Sequence, residues 1–199
     1  MTTRLLFLLS LMIIISTPLS AQKGEDWLSG YIVDNDGDTL HGLVRDRDTG
    51  PFGGLLPKIQ IKPEGKRKKK FRPQDITSYG RGNSRFITLQ VVTTSQLLRT
   101  ETRIVDRGGE SQFYQVIAEG ALNLYHQEFN DEDNFRIDFV PYFNKAGDDE
   151  LVRATQGLFG LKKKLLSRYF SDRPDLVEKI RSGELKTPME VVEAYGDRD

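Results

Sequence analysis

The sequence predicts an α+β protein that is mostly β, with an antiparallel sheet arranged as a sandwich or half-barrel and a C-terminal cluster of about three short helices. Strand-like alternation and turn-forming residues recur between residues 27 and 145. After Gly147 the apolar residues change to helical spacing. We therefore expect an antiparallel β domain over residues 22–150 and a helical segment over residues 151–199 that packs on it.

The first 21 residues have the organisation of a secretory signal peptide. One charged residue, Arg4, precedes an apolar stretch over residues 5–15 that only Ser10 interrupts, and small or turn-forming residues lead to Ala21. An apolar helix of about eleven residues rises only about 16 Å, against about 30 Å of membrane hydrocarbon, which disfavours an uncleaved anchor. The pattern predicts cleavage after Ala21, a periplasmic or extracellular mature chain, and no transmembrane segment within it.

Composition limits what the remaining chain can bind and how it is stabilised. The sequence has 29 Lys and Arg against 29 Asp and Glu, so no global charge attracts nucleic acid or anionic lipid. It has no cysteine, which leaves neither a disulfide nor a thiol for lipid attachment. The fold is therefore expected to be stabilised by packing alone, and nucleic acid is not expected as a partner.

The first strand signals flank a tight turn. The Asp36-Gly37 pair favours the positive φ of a hairpin turn, so the strands on either side of it are expected to pair. A Gly- and Pro-rich loop follows, in which Phe52 is either an exposed contact or, more in keeping with its type, an anchor to the core. Strands are predicted over residues 27–33, 39–44, 58–62 and 69–72, with the loop over residues 45–57.

The middle of the chain alternates more clearly. Ile87, Leu89 and Val91 share one strand face, and charged residues at positions 99, 101 and 103 indicate a later strand with one solvated side. Pro141 cannot donate a ladder hydrogen bond and predicts an edge strand or a bulge. Further strands are predicted over residues 113–119, 122–129 and 135–143, with turns at 106–110 and 130–134.

The C-terminal segment carries three helix signals. Asp172 is predicted to cap a second helix that ends at Gly183, and Thr187 with Glu190 forms a capping box that opens a third. Short helices are marginal alone, so the stripe of the first helix is expected to dock on the sheet, with Leu165 in the core. That stripe comprises Leu158, Phe159, Leu161, Leu165, Leu166, Tyr169 and Phe170.

No catalytic or cofactor motif is present. The segment over residues 34–38 resembles the start of a calcium loop, but Thr39 and Arg45 occupy the positions that require Gly and Glu, so a hairpin turn is favoured. His41 and His126 are the only histidines, too few for a closed zinc site without recruited carboxylates. Esterase, dinucleotide-binding and P-loop motifs are missing, and no pair of the many carboxylates is singled out for hydrolysis. No metal or cofactor is predicted.

A basic run is the sharpest local charge feature. It suggests a site for phosphate or an acidic glycan, or a solvated hairpin whose charges prevent an edge strand from pairing with other chains; the second interpretation is favoured. The candidate anion-binding residues are Lys66, Arg67, Lys68, Lys69, Lys70 and Arg72.

Several of these segments together resemble a family of exported proteins common in Bacteroidota. The resemblance is carried by residues 30–33, 37–42, 58–62, 71–76 and 113–125, and by the short helices at the C-terminus. It implies export to the cell envelope. It implies no catalytic residue, because the matching motifs are strands and turns.

Three classes of function remain open. The sequence favours a non-enzymatic, exported cell-envelope protein, a binding or structural module that contacts an envelope protein or glycan through a sheet edge or its helical end. A carrier of lipid or glycan fragments would instead need an apolar cavity inside a half-barrel. A hydrolase would need two carboxylates that face each other across a cleft at roughly 5 to 9 Å.

Overall fold

The computed structural model describes residues 27–46, 58–97, 99–131, 136–157 and 160–197. The predicted signal peptide, Phe52 with most of its loop, and the predicted helical residues Leu158 and Phe159 lie outside the described residues. Among the described residues, no helix is both long and apolar enough to cross a bilayer.

Eleven strands and three α-helices are present in the described part of the chain. The strands are β1 Leu28–Asp34, β2 Thr39–Arg45, β3 Ile59–Lys62, β4 Lys69–Phe71, β5 Ile76–Arg81, β6 Ser84–Gln96, β7 Arg99–Ile104, β8 Glu110–Ala118, β9 Leu122–Asp131, β10 Arg136–Lys145 and β11 Glu150–Arg153. The helices are α1 Lys163–Tyr169, α2 Pro174–Ser182 and α3 Pro188–Gly196, and a 3₁₀ turn, Pro73–Asp75, precedes β5.

Six of the strands close into an antiparallel barrel. The order β6-β7-β11-β10-β9-β8 returns to β6, because β6 pairs with β7 on one side and with β8 on the other. Val91 lies at the closure, opposite Ile104 of β7 and Glu110 of β8. The predicted α+β, mostly β class is confirmed, and the sheet closes fully where the sequence suggested a half-barrel or a sandwich.

The centre of the barrel is filled by side chains. The predicted shared face of Ile87, Leu89 and Val91 points inward and packs with the rings of Tyr114 and Tyr125. These two tyrosines are buried, and their rings meet edge to face with a distance of 6.4 Å between the ring centroids. A barrel of this strand number leaves room for side chains and little else.

The N-terminal strands form a sheet that continues from the barrel in the order β4-β3-β2-β1-β5-β6. The predicted hairpins β1–β2 and β3–β4 are confirmed, and Gly37 has a φ of 88° in the first turn, as the sequence predicts. The inner face of this sheet packs Ile32, Ile61 and Tyr79 against Phe86 and Phe113, which lie on the outside of the barrel. The opposite, outer face of β1 to β3 has no such cover among the described residues.

The helices pack on the outer surface of the barrel at β9, β10 and β11. Leu124 and Phe143 of the strands lie in one buried cluster with residues of the helical segment. These are Leu166 of α1, Phe170 at the end of α1 and Ile180 of α2. A polar link reinforces the contact, since the backbone N–H of Lys145 donates to the Tyr169 hydroxyl at 2.8 Å. Helices and barrel therefore share a core.

The first helix is shorter than the sequence predicts. It begins at Lys163, because Gly160 takes a φ of 73° and Leu161 forms a β-bridge with Thr155. Leu161 still docks in the core as expected. The prediction that Leu165 is a core residue is wrong: its side chain is only partly buried against this cluster, whereas Leu166 beside it is fully buried.

Two of the three predicted helix-end devices are confirmed. Gly183 ends α2 with a left-handed φ of 85°, and the Thr187 hydroxyl accepts the backbone N–H of Glu190 in a capping box. Asp172 does not cap α2, whose N-cap is Arg173. Its carboxylate instead accepts a hydrogen bond from Lys145 Nζ at 2.6 Å.

Pro141 lies in an interior strand rather than at the sheet edge. β10 pairs with β9 along its whole length and with β11 only at Tyr142 and Phe143. The Pro141 carbonyl accepts the N–H of Ala154, just past the end of β11. The Ala154 carbonyl, which proline cannot bond, accepts instead from the N–H of Lys162 at 2.9 Å. The edge-strand prediction is thus wrong for β10 as a whole, although residues 136–140 pair on this side with no strand that the structure describes.

Candidate functional site

The main candidate site is an open groove of about 740 Å³ on the outer face of the N-terminal sheet. We call it the β1–β2 groove, because these strands form its floor and the turn between β3 and β4 forms one wall. Three glycines, Gly30, Gly42 and Gly65, contribute backbone, and the side chains are those of Ser29, His41, Leu43, Lys62, Pro63, Glu64 and Lys66.

The wall exists because β3 ends early. β3 stops at Lys62, and the chain then makes a turn in which the N–H of Lys66 donates to the Pro63 carbonyl at 3.2 Å, with Gly65 at a φ of 65°. This turn lies directly against β2, since a Cβ added to Gly42 would lie 2.5 Å from the Lys62 carbonyl oxygen and 2.9 Å from the Pro63 Cα. A larger residue at position 42 would therefore push the wall away.

Strand register places the groove residues in one row across the sheet. Leu43 lies between Ser29 of β1 and Lys62 of β3, and His41 pairs with Tyr31. Directly paired residues on one face have Cβ atoms about 5 Å apart. The sheet therefore brings together side chains that are more than 30 positions apart in the sequence.

An aromatic ring, that of Tyr31, lies next to the groove residue His41. The Tyr31 ring is 6.3 Å from the His41 ring and covers Gly80, where a Cβ would lie 2.3 Å from one ring carbon. This cover of a strand glycine by a cross-strand aromatic ring stabilises the pair of strands. It also holds the ring over the sheet surface, and Tyr31 remains partly exposed to solvent.

The groove combines two lysines and an imidazole with one apolar side chain. Lys62, Lys66 and His41 are exposed, and 42% of the Leu43 surface remains accessible. Glu64 is the one carboxylate among the groove residues. This arrangement can offer cationic hydrogen-bond donors to an anion next to the apolar Leu43 side chain.

The structure distributes the predicted anion-binding residues over several places. Lys66 lines the β1–β2 groove, whereas Arg67 and Lys68 are exposed in the segment that leads to β4. Lys69 pairs with Ile61 and Lys70 with Gln60, so these two side chains lie on opposite faces of the edge strand β4. The run is therefore not one continuous patch.

Arg72, the last predicted anion-binding residue, is engaged locally. Its Nε lies 3.4 Å from Asp75 Oδ2, and its backbone N–H donates to the same oxygen at 2.9 Å. The backbone hydrogen bond from Arg72 is the main reason that the pKa of Asp75 is lowered. The guanidinium of Arg72 thus already has a carboxylate partner.

A second, smaller groove of about 440 Å³ separates the 3₁₀ turn from the start of β8. It is lined by Lys58, Arg72 and Gln74 on one side and by Glu110 and Ser111 on the other. Cationic side chains line one side, the Glu110 carboxylate lines the other, and Arg72 is paired with Asp75. This groove therefore offers less unpaired cationic surface than the β1–β2 groove.

The remaining candidate chemistry has a structural explanation. Asp34 Oδ1 accepts the N–H groups of Asp36 and Asp38, so the acidic hairpin turn is closed by its own carboxylate, as the favoured interpretation expects. The two histidines lie in different places: His41 borders the β1–β2 groove, and His126 is 5.5 Å from the Phe139 ring, where burial lowers its pKa. In the part of the chain that the structure describes, no three His, Cys, Asp or Glu side chains cluster as a metal site.

Sequence reasoning missed Lys62 and Tyr31 as site residues and considered His41 only as a possible zinc ligand. Lys62 and Tyr31 are unremarkable in the sequence, and only the register of β1, β2 and β3 brings them to one surface with His41. The usable signal was the glycine content, since Gly42 and Gly80 each lie where another part of the chain approaches closely.

The fold and the site define a β-barrel protein with an appended sheet that carries an open basic groove. No protein-family model, curated protein or solved structure matches the chain.

Proposed function

We propose that this chain is an exported, non-enzymatic cell-envelope protein that binds a partner through the β1–β2 groove. The observation that carries the proposal is the juxtaposition of Lys62, Lys66 and the exposed Leu43 around an open groove. Ligand sites typically enclose about 300–1,000 Å³ and combine apolar surface with a few placed polar groups. The groove has this size and this combination.

The two alternative functions have less support. A carrier requires an apolar cavity, whereas Tyr114 and Tyr125 fill the centre of the barrel. A carboxylate-dependent hydrolase requires two facing carboxylates, whereas each of the two described grooves is lined by one, Glu64 or Glu110. Binding requires neither feature.

Export is supported by the organisation of residues 1–21 and by the resemblance to exported Bacteroidota proteins. The intact mass of the protein recovered from the periplasmic or extracellular fraction should correspond to a chain that begins at Gln22. Retention of residues 1–21 in a membrane pellet would contradict export of a cleaved chain.

Binding through the groove can be tested by capture from envelope extract. Tagged protein is compared with a Lys62→Gln/Lys66→Gln variant and with Lys68→Gln, an exposed lysine of the same basic run that does not line the groove. The proposal expects a partner that the tagged protein and Lys68→Gln capture and that the double variant loses. Equal capture by all three proteins, or no specific capture, would contradict it.

A further inference from the structure

We propose that the ligand of the β1–β2 groove is an acidic oligosaccharide, a glycan chain whose sugar rings carry carboxylate or phosphate groups. The inference rests on the proposed binding function and names the ligand class for the same site. Three observations support it: the Tyr31 ring lies next to His41 of the groove, two lysines belong to the groove wall, and the strands of the groove floor are already paired.

The aromatic ring supplies a surface for a sugar. Tyr31 is held over Gly80 by packing and remains partly exposed, so one side of the ring is supported by the sheet. Aromatic rings offer apolar faces together with a polar tip, which suits the apolar C–H face and the hydroxyl groups of a pyranose. Because the ring already lies on the sheet in the free protein, little conformational freedom is lost on binding.

The lysines supply charge recognition. Lys62 ends β3 and Lys66 ends the turn that follows, so the two ammonium groups belong to one wall of the groove. The lysine ammonium group is a flexible point charge that can donate hydrogen bonds to a carboxylate or to a phosphate, in contrast to the planar guanidinium of arginine. The wall thus selects for an anionic group without selecting which one.

Strand pairing disfavours an acidic peptide as the ligand. Peptides that bind to sheets usually add as a strand to an unpaired edge. β1 pairs with β2 and β5, and β2 pairs with β1 and β3, so the floor of the groove offers no unpaired strand. Recognition here must come from side chains, as it does for oligosaccharides that lie across a sheet.

The groove is also shaped for the interior of a chain. It is open to solvent rather than enclosed, and among the described residues the turn after β3 forms its wall, so the described surface does not require a chain end. A closed pocket would instead accept a chain end. We therefore expect oligomers to bind more tightly than the corresponding monomer.

The test is calorimetric titration with tetragalacturonate as the carboxylate probe and pentamannose phosphate as the phosphate probe. The neutral methyl ester of tetragalacturonate and inorganic phosphate serve as controls for the charge and for the sugar. Variants are Lys62→Gln/Lys66→Gln, Tyr31→Leu and the matched control Lys68→Gln, each with its melting temperature measured to show that it is folded.

The inference expects at least one acidic oligosaccharide to bind, with affinity reduced about tenfold or more in the double lysine variant because two charged contacts are lost. Tyr31→Leu should weaken the same ligand by about threefold or more, and Lys68→Gln should leave it unchanged. Binding should weaken at high salt. Comparison of the two acidic probes identifies the anionic group.

Several outcomes would overturn the inference. Equal binding of the neutral ester would remove the role of charge, equal binding of inorganic phosphate would remove the role of the sugar, and equal losses in Lys68→Gln would indicate a diffuse charge effect. The inference would also be overturned if neither of the two acidic probes bound. If capture from extract still depends on Lys62 and Lys66, only the ligand class is wrong; if capture fails too, the binding function is wrong.

Discussion

Leu166 provides the most direct test of how the helices are attached to the barrel. Its side chain is fully buried in the cluster that also contains Leu124 and Phe143 of the strands. Its neighbour Leu165 is only partly buried against the same cluster, so the two adjacent leucines form a matched pair. We predict that Leu166→Ala destabilises the whole protein and that Leu165→Ala does so much less.

The expected magnitude follows from burial. Truncation of a fully buried leucine to alanine removes about 2–5 kcal/mol from the free energy of unfolding, because apolar transfer energy is lost and a cavity remains. Alanine forms helix at least as well as leucine, so the loss at Leu166 measures packing and not helix propensity. Leu165→Ala, which uncovers less surface, should cost roughly half as much or less.

Against a typical domain stability of about 5–15 kcal/mol, the Leu166 loss is large. For a chain of this size it corresponds to a fall in melting temperature of about 4–20 °C.

The assay is urea unfolding followed by two probes. Far-ultraviolet circular dichroism follows the secondary structure, and fluorescence follows Trp27, the only tryptophan, which lies at the start of β1 with the Arg45 guanidinium 5.8 Å from its ring. Because the helices share a core with the barrel, both transitions should shift together in Leu166→Ala. The N-terminal sheet is thereby tested for cooperativity with a helix that packs against β9 and β10.

Two results would refute this reasoning. If the dichroism transition shifts while Trp27 fluorescence keeps its midpoint, the helices unfold separately from the sheet. If Leu165→Ala costs as much as Leu166→Ala, the buried face of α1 is assigned to the wrong residue.

Three further predictions concern a cap, a histidine and surface lysines. Thr187→Ala should lower the free energy of unfolding in urea by about 1 kcal/mol, because the Glu190 N–H loses its acceptor; Thr187→Ser should restore it, and an unchanged midpoint would contradict the cap. Burial lowers the pKa of His126, so the unfolded state binds more protons below the ordinary histidine value of 6.5, and stability should fall from pH 7 to pH 5. His126→Gln should flatten that slope, and an equal slope would assign it to other groups. Lys68→Ser and Lys70→Ser should each change the free energy of unfolding by no more than about 0.5 kcal/mol, since both side chains are exposed; a larger change in urea titration would show that they pack.

Local signals were sufficient where one short segment determines the structure. The turn at Gly37 and the capping box at Thr187 each depend on residues within four positions of one another, and both formed as predicted. The helical stripe was harder, because a periodic pattern cannot show where the helix starts. The left-handed φ of Gly160 and the bridge from Leu161 to Thr155 keep these residues out of the helix, although their sequence pattern would fit a helix equally well.

Strand β5 escaped the sequence analysis for a related reason. Its buried residues Ile76 and Tyr79 are three positions apart, which breaks the alternation expected of a strand. The structure resolves the conflict through a shift in the register of β1 against β5 between Val33 and Asp34, which allows both side chains to face the core. A bulge of this kind depends on the partner strand, so one segment read alone cannot reveal it.

The candidate site depends on long-range register in the same way, and its glycines explain why. In a sequence, Gly42 and Gly80 weaken a predicted strand, because glycine gains nothing from packing and costs conformational entropy. In the sheet, Gly42 admits the turn that forms the groove wall, and Gly80 admits the Tyr31 ring. The wall of the groove and the position of the Tyr31 ring therefore each depend on a missing side chain, and a Cβ at position 80 should displace Tyr31 while leaving Lys62 and Lys66 in place. Gly80→Ala would then separate the aromatic contribution to ligand binding from the charged one without altering any residue that contacts the ligand.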